Sequence, residues 1–414
     1  MRIAVIVESF PELSETFILR QITGLLELGH DVAIFANRSP ARGPVHAEVR
    51  EYALGRRVRY VHPPNAAERS WRRDTLLALR VAMRRPRAMR LLRRAQSAEF
   101  GGFRSLLSRL PVLLPGGGYD VVHCHFGDVA LAYRFAAAYW HIPFIASFHG
   151  FDYSRYPAMH GAGVYEPLFR TVDCVTVNGA YARARLEELG CPPPALRVLH
   201  YGVPLDDGAA ALRRAEHSNG AVRLLTVARL VEKKGVEYAI RAVARVARTA
   251  PALRYDIIGE GPLRGELEAL ARALGVGDRV VFHGARAQDA VRAAMMEADI
   301  FVLPSVTATD GDQEGTPTVL IEASSYGLPV VSTHHSGIPE VVLDEASGFL
   351  VAERDVEALA DRLECLVAHP ERRVAMGRAG RCHIEREFDI QVLNRRLEAL
   401  YREVIERGRE RDGR

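Results

Sequence analysis

Arg229-Leu230-Val231-Glu232-Lys233-Lys234-Gly235 puts an arginine and a lysine into one loop that opens a helix. An arginine fork grips two phosphate oxygens, a lysine adds a point charge, and a helix start contributes its positive end. The pattern suits a diphosphate, with a solvated basic turn as the plainer alternative. Further on, Thr316 is read as a helix N-cap and Pro317 as the first helical residue, which makes Gly315, Thr316, Pro317, Thr318 and Val319 a phosphate seat. Glu314 precedes that helix, and Glu322 falls about one and a half turns into it, inward if Val319, Ala323 and Tyr326 mark the buried side. Carboxylates at those depths can accept hydrogen bonds from ribose and sugar hydroxyls, or stabilise a cationic anomeric carbon. For an isolated pair, capping and surface charge would be the better explanation.

Other signals are weaker. Gly259-Glu260-Gly261-Pro262 approaches the dinucleotide fingerprint, but three residues, not two, precede the last glycine, Gly265. Gly259 and Gly261 would let backbone approach a ligand, and Pro262 suits the first turn of the next helix. The first strand leads into Glu8-Ser9-Phe10-Pro11, without that fingerprint, so nicotinamide chemistry is not expected. Asp310-Gly311-Asp312 has the form of a divalent-metal site, yet the cations nearby already offset a diphosphate, and no metal is expected. In the first half, His125 and His149 each follow an apolar run, where a histidine could bond a sugar hydroxyl or simply be satisfied structurally. Ser14, Glu15 and Thr16 precede a helix expected near Phe17, which they could cap or from which they could meet an acceptor.

The elements that would position these residues are legible as alternation. Short apolar runs at 3–7, 32–36, 58–61, 121–124, 144–148, 174–177 and 197–200 read as strands, and again at 222–228, 255–258, 280–282, 300–303 and 330–332. Helical patterns separate them, which predicts parallel sheets flanked by helices. A chain of 414 residues is too long for one ordinary core and suits an α/β pair of Rossmann-like domains facing a central cleft. The expected boundaries are 1–204, a linker at 205–220 rich in Ala, Asp and Gly, 221–385, and a C-terminal helix at 386–414 packing back on the first domain.

With 48% hydrophobic and 26% charged residues and no run long enough to span a bilayer, the composition is that of a soluble globular protein. Scattered cysteines without metal-ligand or redox spacing suit a reduced, cytoplasmic setting. Residues 68–110 hold 12 arginines against Glu68, Asp74 and Glu99. Interleaved with apolar residues, this arm either lies on an anionic membrane surface, at the inner membrane face, or is a solvated helical excursion. No reader motif accompanies the charge, which disfavours nucleic acid.

Arg229, Lys234-Gly235, Gly259-x-Gly261-Pro262, Glu314-x7-Glu322 and Ser336-Gly337-x-Pro339-Glu340, in this order, resemble glycosyltransferase family 4, of GT-B fold. The opening Phe10-Pro11-x-Leu13-Ser14-Glu15-Thr16-Phe17 looks like the colanic acid and amylovoran branch of exopolysaccharide assembly, and departs from the Gly-Gly loop of many relatives. The resemblance implies a metal-independent, retaining hexosyl transfer from a nucleotide diphosphate sugar, a uridine diphosphate sugar by preference, to a glycan, lipid-linked glycan or small-molecule hydroxyl. It implies that Arg229 and Lys234 bind the diphosphate, Glu322 the ribose and Glu314 the sugar near the reacting carbon, with His149 facing the acceptor. A nucleotide-sugar epimerase or phosphorylase would need an added acid/base pair or a pyridoxal-type lysine, of which there is no sign. A membrane-surface scaffold would explain only the basic arm.

Overall fold

Strands of a parallel sheet are covered by helices on both faces, so their sequences read as continuous apolar runs. The computed structural model shows this throughout. It describes the chain except residues 13–14, 40–44, 62–70, 96–101, 206–221, 412 and 414. Two compact units are present: Met1–Val177 with Arg183–Leu199 and Asn394–Arg414, and Asn178–Ala182 with His200–Leu393. No helix among the described residues is long and apolar enough to cross a membrane.

The first unit contains β1 (Arg2–Ser9), β2 (Asp31–Arg38), β3 (Val58–Tyr60), β4 (Val121–His125), β5 (Phe144–Phe148), β6 (Cys174–Val177) and β7 (Leu196–Val198). They form a 7-stranded sheet ordered β3-β2-β1-β4-β5-β6-β7, parallel at every pairing. The helix Ile390–Arg411 joins this unit from Asn394 onward. Its Tyr401 hydroxyl lies 2.6 Å from His123 Nδ1 in β4, whose Nε2 lies 2.6 Å from Ser147 Oγ in β5. Ser147 Oγ in turn lies 2.5 Å from Thr176 Oγ1 in β6. These buried polar groups thereby satisfy one another across the sheet.

The second unit holds β8 (Arg223–Val227), β9 (Arg254–Ile258), β10 (Val280–Phe282), β11 (Ile300–Leu303), β12 (Val330–Thr333) and β13 (Gly348–Val351). Its 6-stranded sheet runs β10-β9-β8-β11-β12-β13, also parallel. The sequence reading missed β13, a run of four residues that opens on a glycine. The core under this sheet gathers Ile240, Val243, Tyr255, Ile257, Val302 and Leu363.

The expected linker falls, apart from Leu205, outside the described residues. So do residues 68–70 and 96–101 of the basic arm, the rest of which includes helices Trp71–Arg84, Met89–Ala95 and Phe103–Arg109. Pro262 does not lie in a first helical turn: the helix begins at Arg264, with Leu263 at its N-cap. The first helix starts at Thr16, one residue ahead of Phe17, because Glu15 already takes the N-cap position.

Two glycines of the second unit can be compared. Gly235 has φ +63°, and a Cβ there would lie 1.8 Å from Pro304 O, whereas Gly275 has φ +73° and open space around it. Gly275→Ala should therefore cost about 1 kcal/mol of backbone strain. Gly235→Ala, strained and clashing, should cost about 3 kcal/mol or more. Urea unfolding followed by circular dichroism measures both, and equal losses would refute the close approach.

Candidate active site

In an open parallel sheet the loops on either side of the point where strand order reverses splay apart, and ligands bind there. In the second unit that point lies between β8 and β11. The loops that follow these strands carry Arg229 and Lys234 on one side and Glu314 on the other, so the structure gathers what the sequence kept apart. After β8 the chain forms a short 3-10 turn, Glu232–Lys234, and Gly235 then starts the helix Val236–Val246. The tight passage through Gly235 orients Lys234 towards Glu314, with Nζ 2.9 Å from Oε1. Both side chains are nearly buried, at 13% and 8% exposed.

Glu314 Oε1 is buried and meets Lys234 as an ion pair, and no other donor reaches it among the described residues, so it keeps acceptor capacity. Burial pushes the Glu314 carboxyl up, but Lys234 and Lys233 outweigh it and hold it below the usual range. Burial is likewise the largest influence on Lys234 and lowers it despite the attraction of Glu314, with Lys233 and Arg229 adding repulsion. The pair is held ionised, since the two charges compensate at contact distance. Arg229 is exposed, and its guanidinium has no ion-pair or hydrogen-bond partner among the described residues.

The loop carrying Glu314 is clamped by residues that sequence reading did not single out. Lys233 Nζ bonds Asp312 Oδ1 and Gln313 O, each at 3.1 Å. Glu232 accepts from Thr309 N at 3.0 Å and Thr309 Oγ1 at 2.8 Å. His335 Nε2 accepts from the Glu314 amide at 3.1 Å, so the ring carries its proton on Nδ1 and donates it to Glu353 Oε1 at 2.6 Å. Burial raises the Glu353 carboxyl, but the Thr307 amide and His335 outweigh it and bring it below the usual range. The only sequence signal for His335 was its place just after β12; pairs this far apart in the chain leave no local pattern.

The helix after Glu314 begins later than expected. Thr316 is not its N-cap and Pro317 is not its first residue: Pro317 is the cap, extended at φ −65° and ψ 112°, and the helix runs Thr318–Ser325. The cause is that Gly337 N bonds Gly315 O at 3.1 Å, drawing the 315–316 segment against the loop after β12. The amides of Thr318 and Val319 then open the helix and lack intrahelical acceptors. Glu322 is buried at 9% exposure, on a helix buried from Leu320 through Ser325, with Val319 and Tyr326 only partly covered. Gly259 and Gly261 support the Arg229 loop: a Cβ on Gly259 would lie 1.8 Å from Ala228 O, and one on Gly261 2.4 Å from Leu230 O. Among the described residues no cluster of histidine, cysteine or carboxylate side chains could hold a metal. Asp310 Oδ1 accepts from the Asp312 amide at 3.0 Å, and Asp312 pairs with Lys233.

In the first unit the reversal lies between β1 and β4, and β5 adjoins it. His125 is the last residue of β4 and His149 follows β5. Their rings stack at 9° with centroids 5.6 Å apart, and the His123 ring, tilted by 32°, lies 4.4 Å from that of His125. Burial lowers the His123 and His149 imidazoles to about 3 and holds His125 well below its usual value. All are neutral near pH 7, so His149 can give or take a hydrogen bond without adding charge. The backbone N–H of His149 donates to Asp152 Oδ2 at 2.7 Å. Phe17, beside Thr16, places its ring 4.7 Å from that of His149. Glu15 makes no side-chain cap bond, and Ser14 lies outside the described residues.

Comparison with known proteins finds relatives along nearly the whole chain. The family model for glycosyl transferases group 1 matches residues 211–383, and that for Glycosyltransferase Family 4 matches residues 14–207. The putative colanic acid biosynthesis glycosyltransferase WcaL of Escherichia coli is 34% identical over 410 residues, covering 97% of this chain and 99% of the relative. The amylovoran biosynthesis glycosyltransferase AmsK of Erwinia amylovora is 32% identical over 416 residues, covering 98% and 100%. A GDP-mannose-dependent phosphatidylinositol monomannoside mannosyltransferase of Mycolicibacterium smegmatis is 34% identical over 246 residues, covering 57% of this chain and 64% of its own. Among solved structures, Anabaena HepE in complex with UDP and glucose superposes with a TM-score of 0.69 at 17% identity, covering 97% of this chain and 99% of HepE.

Neutral buried histidines have a thermodynamic signature. Below pH 6.5 the unfolded chain takes up protons that these rings refuse in the folded state until about pH 3. Stability should thus fall as pH drops through that window, by up to about 1.4 kcal/mol per pH unit for each ring. Asp128 and Asp152, raised by burial, act with the opposite sign, so the informative quantity is a difference. His149→Gln should flatten the dependence of the urea midpoint between pH 7 and about pH 4; an unchanged slope would contradict the neutral buried state.

Proposed function

We propose, from the premise that this chain belongs to glycosyltransferase family 4, that it transfers a hexosyl-type sugar with retention from a nucleotide diphosphate sugar to an acceptor hydroxyl. The observation that carries this reading is the buried Lys234–Glu314 pair at the β8/β11 reversal, with Arg229, which has no side-chain partner among the described residues, beside it on the same loop as Lys234.

The donor diphosphate is held by the Arg229 fork, by Lys234 and by the first amides of the helix Thr318–Ser325. Binding gives Lys234 a second anionic partner and leaves Glu314 Oε1 an acceptor for a donor sugar hydroxyl. Glu322 accepts from the ribose. The acceptor oxygen attacks the anomeric carbon on the face from which the diphosphate departs. The new carbon–oxygen bond forms as the carbon–phosphate-oxygen bond breaks, and the acceptor proton passes to the leaving phosphate oxygen. Configuration is kept without a protein nucleophile. Charge stabilisation and positioning supply the catalysis, with His149 hydrogen-bonding a hydroxyl in transit. The cationic groups make a divalent metal unnecessary in this scheme, and Asp312 is already committed to Lys233.

We read the donor as a uridine diphosphate sugar and the acceptor as a glycan or lipid-linked glycan of exopolysaccharide assembly, with a guanosine diphosphate sugar as the competing donor. The HepE complex and the colanic acid and amylovoran relatives favour the first reading, and the mannosyltransferase relative favours the second.

Arg229→Ala and Glu322→Ala should each raise the donor dissociation constant by roughly tenfold or more, as loss of a charge-assisted bond implies. His149→Ala should chiefly lower kcat. Titration calorimetry and initial rates separate the two, and an unchanged donor affinity would remove Arg229 from the site. Turnover should persist in excess chelator with the anomeric configuration of the donor preserved in the product. An inverted product, or activity abolished by the chelator and restored by a divalent ion, would refute the scheme. Thermal shifts with UDP, GDP and their sugars decide the base, since the bound nucleotide stabilises the fold by mass action.

A further inference from the structure

The helix Trp71–Arg84 of the first unit carries Met83, Leu76 and Leu79 at 76%, 62% and 54% exposure, three of the four most exposed large apolar side chains among the described residues. At 3.6 residues per turn, positions 76, 79 and 83 share one stripe about 60° wide. Val81, on the opposite side, is fully buried, so the stripe faces outward by construction of the helix. Arg80 and Arg84, both exposed, border it, and neither has an ion-pair partner among the described residues. The adjoining helix Phe103–Arg109 adds Phe103, 49% exposed, and the exposed Arg87 and Arg90 follow in sequence. Single exposed leucines are ordinary; an aligned row bordered by arginines, in a segment with 12 arginines against 3 acidic residues, is not.

We propose that this face docks on the surface of an anionic lipid bilayer, with Leu76, Leu79 and Met83 entering the headgroup–acyl boundary and Arg80 and Arg84 meeting lipid phosphates. The charge excess selects the occupant. A protein interface core is depleted of charge, and a nucleic acid would use the arginines but leave the apolar row in water, whereas a charged bilayer surface satisfies both. The inference concerns a surface remote in sequence from Arg229, Lys234 and Glu314, and its test requires no donor.

The full chain is sedimented with vesicles of phosphatidylcholine, with and without phosphatidylglycerol. It should pellet with the anionic vesicles, and less so as salt rises. The triple variant Leu76→Gln, Leu79→Gln, Met83→Gln should lose roughly tenfold or more of its partitioning. Arg80→Gln and Arg84→Gln should each lose about fivefold. All these side chains are exposed, so thermal midpoints should hold; if the triple variant unfolds, the arginine variants carry the test. Failure to bind anionic vesicles, or variants that bind as the parent does, would overturn the proposal. A parent that sediments as a dimer, and a triple variant that does not, would assign the face to a second copy instead.

Discussion

The second unit is organised around one electrostatic requirement: two opposite charges taken out of water must stay at contact distance. A buried ion pair repays its desolvation only when geometry is held closely and the remaining polar atoms are satisfied. Lys234 and Glu314 come from different loops, so neither loop can move without exposing or orphaning a charge. The surrounding bonds follow from this. Lys233 anchors the acidic loop to the basic one, Glu232 ties down Thr309, and His335, itself held by Glu353, fixes the backbone at Glu314. Gly235, Gly259 and Gly261 let the backbones approach closely enough for the charged side chains to meet.

The first unit solves the opposite problem. In and just beyond its strands lie three neighbouring imidazoles rather than an ion pair, with His125 stacked on His149 and His123 tilted against His125, and burial removes their charge. The second unit thus offers fixed charges beside an anion-seeking helix start, and the first offers neutral hydrogen-bonding rings. In the proposed transfer the charges serve the leaving diphosphate and the neutral rings the acceptor hydroxyl.

The parallel sheets and the positions of Arg229, Lys234 and Glu314 were legible because each residue follows an apolar run, and strand ends in such sheets are where ligands bind. Boundaries at 144–148, 174–177, 280–282 and 300–303 were read as the structure has them. What escaped was long-range. Thr316 has the right chemistry for an N-cap, but a bond from Gly337 holds that segment extended and moves the cap to Pro317. Glu353 follows β13, whose opening glycine shortens its apolar run to three residues, and nothing local tells that the His335 ring will bridge this carboxylate and a distant amide.

The hydrogen-bonded row across the first sheet has a consequence in time. His123 on β4 depends on Tyr401, 278 positions later in the chain. A buried imidazole lacking its partner carries the full cost of desolvation. Domains that emerge first from the ribosome commonly fold first, but this one cannot complete its interior until Tyr401 has been translated. Its nascent form must wait, with an unfinished polar centre, through synthesis of the entire second unit.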